Sequence, residues 1–484
     1  MSNNYLAGQS SVWVLPEGPN TEPKYLACHS VGDIANPKGD ETLLYCPDPS
    51  TSGKFIVKNS FTGEPGTVTA SIETEIAKTA DYLEELGNCR VPIYIHKVNC
   101  GRRDVFTNFG RSFILRQSRI TNESLSALAA ATPGDEGESK QSFDISARNL
   151  IRIFKLQPLR SSVVSPGDLT GISICGEDRC EDNCGSSQMK KDYLFVTQKL
   201  LAGSSTATAE VMASINQSVW APTAADPFAD DMDIQGIVCF KIGTDTLRIL
   251  VAKGTTDGGP MEIAYTDNYG VSWTTVHVGS TNGEYTANSH ALFALDRYHI
   301  WVGTDSGRIY YSSDAGLTWT LQENASISAT DIVGISFVDG LIGFALYTGG
   351  EIAKTTDGGT TWSAATPSGA TTGTDIHAIS PYFVWATGAA GAFYTHDGGV
   401  TWGQRLTFPI GAIDFMDELV GIVVGSASSA DIYQTIDGGF DWDPLPALTN
   451  AGYLDVKMVD PRLAYVTGKV SGGLGLLATL TPVP

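Results

Sequence analysis

The 484-residue sequence predicts a mainly β protein in two parts. Residues 1–215 read as a β-sandwich-like domain with a short flanking helix, and residues 216–484 as a six-bladed β-propeller. Three observations lead there. Gly is abundant (52 residues) and charged residues are scarce (17%), which suits short strands and tight turns. A hydrophobic content of 42% supplies enough apolar material for real cores. Five near-copies of one octapeptide recur in the second half, their tryptophans 46, 43, 40 and 40 residues apart. A period near ~40 fits one four-stranded blade per unit.

The first half shows no repeat. Alternating apolar runs mark strands at Lys54-Phe-Ile-Val-Lys, Thr67-Val-Thr-Ala-Ser-Ile, Pro92-Ile-Tyr-Ile-His-Lys-Val and Ser112-Phe-Ile-Leu-Arg, with later ones at Ile145 and Leu150-Ile-Arg-Ile-Phe-Lys-Leu. A short helix follows Thr79 as N-cap, with Asp81 in its first turn, Tyr82, Leu83 and Leu86 on one face, and Gly87 as its stop. Further helices are expected over 124–130 and 193–201. Seven of the eight cysteines lie between Cys28 and Cys184, and Cys239 stands apart. Cys175, Cys180 and Cys184 lack the paired CxxC or His spacing of a zinc site, so free thiols are favoured over disulfides or metal.

The octapeptides are Thr266-Asp-Asn-Tyr-Gly-Val-Ser-Trp273, Ser312-Ser-Asp-Ala-Gly-Leu-Thr-Trp319, Thr355-Thr-Asp-Gly-Gly-Thr-Thr-Trp362, Thr395-His-Asp-Gly-Gly-Val-Thr-Trp402 and Thr435-Ile-Asp-Gly-Gly-Phe-Asp-Trp442. Each follows an apolar strand and reads as a hairpin turn. The third residue (Asn268, Asp314, Asp357, Asp397, Asp437) can accept backbone N–H groups across the turn. Gly270, Gly316, Gly359, Gly399 and Gly439 supply a positive φ. Trp273, Trp319, Trp362, Trp402 and Trp442 open the outgoing strand and pack on a neighbouring sheet. A sixth apolar strand, Leu463-Ala-Tyr-Val-Thr, belongs to a unit without an octapeptide that is one strand short. A ring must close to remove its edges, and Ser218-Val-Trp-Ala-Pro around Trp220 is the expected closing strand.

The pattern S/T-x-D-x-G-x-T-W resembles the Asp-box repeat of bacterial neuraminidases, sortilin-type receptors and photosystem-assembly propellers. That resemblance implies a propeller with each box between the third and fourth strands of a blade, remote from any catalytic centre. Sialidase chemistry needs an arginine cluster, an acid/base Asp and a Tyr–Glu pair. Arg248, Arg297, Arg308, Arg405 and Arg462 stand in none of the expected contexts. No catalytic, metal or cofactor site is assigned, and none of the box residues is read as chemical. His396 is expected to be exposed, and Asp226, Asp230, Asp231 and Asp233 lack the Gly and closing Glu of an EF-hand.

Net charge is −22, which opposes binding to duplex DNA or an anionic membrane. No apolar run approaches the ~20 residues of a membrane span, and no secretory signal is visible, so folding in the cytoplasm is expected. Charge is uneven. The stretch from Cys89 to Arg160 holds 12 basic and 6 acidic residues, which suits a contact with the acidic surface of another copy. The order strands, helix, strands, from Leu43-Leu-Tyr-Cys-Pro-Asp-Pro-Ser to Cys89-Arg-Val-Pro-Ile-Tyr-Ile, resembles the tail tube proteins of tailed bacteriophages. The resemblance implies subunits that stack as rings into a tube, contact other tail proteins and let DNA pass without specific binding. The propeller would decorate the outside of the tail, with weak contacts to host-surface glycans. The alternative is a non-enzymatic binding module that recognises a surface glycan or protein.

Overall fold

The computed structural model describes the strands between residues 9 and 215 mainly by their backbone pairing. It describes most residues between 223 and 481 with their side chains. Every named element among the described residues is a strand, and no helix there is long and apolar enough to cross a membrane. The chain divides into two units, Met1–Lys155 with Asp178–Lys190, and Leu156–Glu177 with Lys191–Pro484. That boundary falls well before residue 215.

In the first unit one antiparallel ladder runs through Val91–His96, Gln9–Val14, Lys24–Val31, Val68–Glu75, Lys140–Ala147 and Ser112–Leu125, with Asn149–Ile153 beyond. Val91–His96 also pairs with Ser112–Leu125, so the ladder returns on itself where a two-sheet sandwich was expected. Glu41–Pro47 and Phe55–Phe61 form a separate hairpin. The helix after Thr79 lies outside the described residues. Of the helix expected over 124–130, Ser124 and Leu125 end a strand and the rest lies outside the description.

The second unit contains seven four-stranded antiparallel sheets. In chain order their first strands are Leu169–Cys175, Ile234–Lys241, Leu292–Asp296, Ile332–Phe337, Gly373–Ala378, Ile410–Phe415 and Ala451–Asp460. These strands contact one another in that succession, and the last contacts the first. Apolar clusters fill the spaces between consecutive sheets. One packs Trp301 and Ile309 of the third sheet against Ile335 and Tyr347 of the fourth. Another packs Leu169 and Ile172 of the first against Tyr465 and Leu477 of the seventh.

Two expectations are corrected here. Tyr193–Gln198, expected as a helix, is the second strand of the first sheet, paired on both sides. Its Tyr-Leu-Phe-Val-Thr is rich in aromatic and β-branched residues, and partners on both flanks decide for strand. Trp220–Pro222 does not complete the last sheet; it pairs with Met212–Ser214 of the first. The seventh sheet receives Leu156–Pro166, which runs beside Leu474–Pro482. An 11-residue strand can match a nine-residue partner along its length, as a three-residue strand cannot. Leu169–Cys175, Tyr193–Gln198, Val211–Ile215 and Trp220–Pro222 thus form a sheet of their own, which makes seven four-stranded sheets among the described residues.

Candidate functional site

The octapeptides sit between the third and fourth strands of the second to sixth sheets, and each is a saturated hydrogen-bond device. The opening hydroxyl accepts the glycine N–H four residues on: Gly316 to Ser312 at 2.9 Å, Gly359 to Thr355 at 2.8 Å, Gly399 to Thr395 at 3.0 Å. Gly270 and Gly439 donate likewise to Thr266 and Thr435. The same hydroxyl donates to the third residue's side-chain oxygen, 2.7 Å for Thr395 to Asp397. Asp314, Asp357 and Asp397 then accept the N–H and the hydroxyl of Thr318, Thr361 and Thr401. Asn268 accepts Ser272 N–H and donates to Ser272 Oγ. These bonds hold the Asp314 and Asp397 carboxyls below their ordinary range, against the opposing effect of partial burial.

The five glycines have φ between +79° and +90°. The preceding residue is also left-handed, at Gly in three boxes but at Tyr269 (+57°) and Ala315 (+61°) in the others. Sequence reasoning missed that second position; the Gly-Gly of the last three boxes was its signal. Each box tryptophan packs into the cluster shared with the preceding sheet, as Trp362 does edge-on to Phe337 at 5.8 Å.

At the ring interior the first strands are edges, and their N–H groups find side-chain acceptors on the neighbouring sheet. Ser336 accepts Ala378 N–H (2.9 Å) and Asp375 accepts Ile413 N–H (3.0 Å). Asp414 accepts Met458 N–H (2.7 Å) and Asp455 accepts Ile172 N–H (2.9 Å). The three aspartates are buried. His290, just before the third sheet, reaches Thr374 O of the fifth and Asp455 of the seventh, both at 3.1 Å. Both ring nitrogens face acceptors, so the imidazole donates twice and is cationic. Burial alone would lower its pKa, but Asp375 and Asp455 more than offset that and hold it at about 9. Burial lifts Asp375 to about 6, tempered by the His290 charge. Lys457 and His377 flank Asp414 at 3.3 and 3.4 Å. The Asp414 carboxylate raises the Lys457 pKa, and burial lowers that of His377.

The remaining candidates separate in space. Arg248 is bidentate to Asp267, Arg297 donates to Ile242 O, Arg308 pairs with Glu284, and Arg405 stacks over Tyr394 and Phe440. Among the described residues these cations do not converge, and Arg462 lies outside them. His396 is half-buried, stacked on Phe383 at 4.5 Å, rather than exposed. Asp226 is exposed and Asp233 half-buried; Asp230 and Asp231 lie outside the description. No described group of three or more His, Cys, Asp or Glu has metal-binding geometry. Cys239 is disulfide-bonded, against the expectation of free thiols. Cysteine spacing alone could not reveal that pairing, because it depends on which strands the ring brings together.

No protein-family model matches the sequence, and a comparison with curated proteins gives no match. Among solved structures the chain is similar to virginiamycin B lyase from Staphylococcus aureus. The identity is 13%, with 68% of this chain and all of that chain covered at a TM-score of 0.50. YCF48 from Cyanidioschyzon merolae is 16% identical over 67% of this chain and 98% of its own, at 0.47. The WD40 β-propeller domain of Doa1 is 10% identical over 67% and 97%, at 0.48. The likeness places the second unit among β-propeller folds. A likeness at this identity shows a fold and not an activity.

Proposed function

We propose that this chain is a structural, non-enzymatic virion protein of a tailed bacteriophage. It is a tail tube subunit that polymerises through its N-terminal unit and carries a seven-bladed Asp-box propeller as an outer decoration. One observation supports the non-enzymatic reading above the rest. The interior carboxylates Asp375, Asp414 and Asp455 each accept a backbone N–H of the next sheet, and the box carboxylates serve their own turns. Among the described residues, carboxylates so engaged join blades or brace turns, a structural use that supports the reading.

The tail reading draws on charge. The basic excess between Cys89 and Arg160 sets one band of the subunit against an otherwise acidic chain, a basis for copy-to-copy contact. The acidity itself lets DNA pass without adhering. Folding occurs in the host cytoplasm, and the mature location is the tail, beside other tail proteins. Negative-stain electron microscopy of the purified protein is expected to show rings or tubes. Monodisperse monomers at all concentrations would sink this reading, and turnover of a fluorogenic sialoside would sink the non-enzymatic part. A second reading, a module that binds a surface glycan or protein, is favoured by the exposed Tyr298 and Tyr382 on the propeller's turns.

A further inference from the structure

We propose that Glu323, Tyr347 and Glu351, at the seam between the third and fourth sheets, bind an organic nitrogen cation, a guanidinium or alkylammonium group. This goes beyond the tail reading, because it concerns a ligand of the propeller and not assembly of the chain. The position four residues before the box opener is charged in three consecutive sheets. In the second sheet it is Glu262. Beyond the Ala252–Ile263 pair it faces buried Lys253, whose Nζ lies 2.9 Å from its carboxylate. In the third sheet it is Arg308, which pairs with buried Glu284, just past the fourth strand of the second sheet. In the fourth sheet it is Glu351. Beyond the Leu346–Ile352 pair it stands across from Tyr347, where the second sheet has its lysine. The preceding sheet offers another glutamate, Glu323, on its fourth strand. The cation that both earlier sheets supply is missing from this group.

The polar atoms here are unspent. Tyr347 is fully buried, and among the described residues neither its hydroxyl nor Glu351 Oε2 has a hydrogen-bond partner. Tyr347 packs in one apolar cluster with Ile309, the cross-strand partner of Glu323. That contact brings the phenol to the seam between the sheets. Burial first, and then the charges of Glu323 and Glu351, push the Tyr347 phenol well above its usual range. Glu323 is buried, and Ser326 holds its Oε1 through both N–H and hydroxyl at 2.5 Å. Glu351 is half-buried beside the exposed Gly349, so solvent reaches the group from that turn. A Cβ on residue 349 would lie 2.3 Å from Glu351 Oε2; the glycine leaves the carboxylate its space.

Two carboxylates and an unpaired phenol in a partly desolvated seam are costly without a positive partner. The molecule itself shows which cation fits. In the equivalent places it uses the ammonium of Lys253 and the guanidinium of Arg308. Arg308 shares Glu284 with the Tyr310 hydroxyl, 3.1 Å from that carboxylate, so one seam already combines glutamate, tyrosine and guanidinium. A calcium ion takes about six or more oxygen ligands, which two carboxylates and a phenol do not supply. A guanidinium carries enough donors on one plane to serve both carboxylates and the phenol oxygen. Its source is a free small cation or a basic side chain of another protein, and the chemistry of the seam is the same for both.

The test uses the full chain and two probes at constant ionic strength, methylguanidinium and a blocked tripeptide with arginine at its centre, read by saturation-transfer NMR. Transfer to methylguanidinium is expected with the parent. Transfer to the peptide as well identifies a protein side chain as the source, and transfer to methylguanidinium alone identifies a free cation. Glu351→Gln is expected to weaken binding at least about tenfold and to melt no lower than the parent, since it removes a carboxylate without a counterion. Glu351→Arg rebuilds the arrangement of Arg308; it is expected to block both probes and to melt higher. Absence of transfer to either probe would overturn the proposal, as would equal binding by the parent and Glu351→Gln, or a lower melting temperature for Glu351→Arg. Displacement of the probe by calcium at equal ionic strength would assign the seam to a metal and overturn it too. Rings or tubes in electron microscopy depend on none of these outcomes, so the tail reading stands or fails separately.

Discussion

Asp437 differs from the four other box acceptors by its surroundings. It is 1% exposed, and its box carries Asp441 where three others carry Thr, so a hydroxyl donor is exchanged for a second carboxylate. Burial first, then the charges of Asp441 and Asp443, raise its pKa to about 7 in spite of the Asp441 N–H and Thr435 hydroxyl bonds. In the unfolded chain the group ionises near ~3.9. Stability therefore falls as pH rises from about 4 to about 7, where the unfolded chain has released a proton that the folded one keeps, and is flat above. Asp437→Asn keeps one acceptor oxygen, as Asn268 does in the first box. It is expected to melt higher than the parent at pH 8 and equally at pH 4. Equal melting at both pH values would refute the burial argument. The octapeptide alignment made the five acceptors look alike; burial by the rest of the fold separated them.

At the scale of the element, each box glycine meets two demands. Its positive φ is a local property, legible from the repeat, but its Cα also faces the preceding sheet. A Cβ on Gly439 would lie 2.4 Å from the Trp385 ring, whereas one on Gly399 would lie 3.7 Å from Phe344, in ordinary contact. Gly399→Ala is expected to cost about 1–2 kcal/mol, the left-handed penalty alone. Gly439→Ala should cost at least ~1 kcal/mol more, because Trp385 is fully buried and stacked on Phe415 at 5.6 Å. Chemical denaturation of both variants checks the order, and equal losses would remove the packing component. The strand Tyr193–Gln198 teaches the complementary lesson. Its short apolar run carried no period that distinguishes helix from strand, and only its two flanking partners resolved it.

For the whole molecule, closure is the governing fact. Leu156 N–H donates to Gln434 Oε1 of the sixth sheet at 3.1 Å, tying the closing strand to a residue 278 positions away. His290 ties the third sheet to the fifth and seventh. Its raised pKa means that its charge stabilises the fold fully below about 6.5 and is lost as pH rises through about 9. His290→Asn is expected to be less stable than the parent at pH 6, with the gap closing by pH 10. A gap of constant size would show that His290 acts by shape alone. The seven-sheet count was hidden in the sequence because the two sheets without boxes carry no repeat signature, and one of them is built from both ends of the unit.

Spacing and residue type alone were enough to locate the five Asp/Gly/Trp corners and the β character of the chain, while the place of the corners between third and fourth strands came from the resemblance to the Asp-box repeat. Those features depend on contacts within a few residues, where turn geometry is dictated by hydrogen-bond reach and by allowed φ. The tertiary structure decided which strand closes the ring, which carboxylates are buried, that Cys239 is bridged, and which turn residues stay exposed. Each of these depends on partners tens to hundreds of residues apart, and no local pattern encodes which distant edges come to lie side by side.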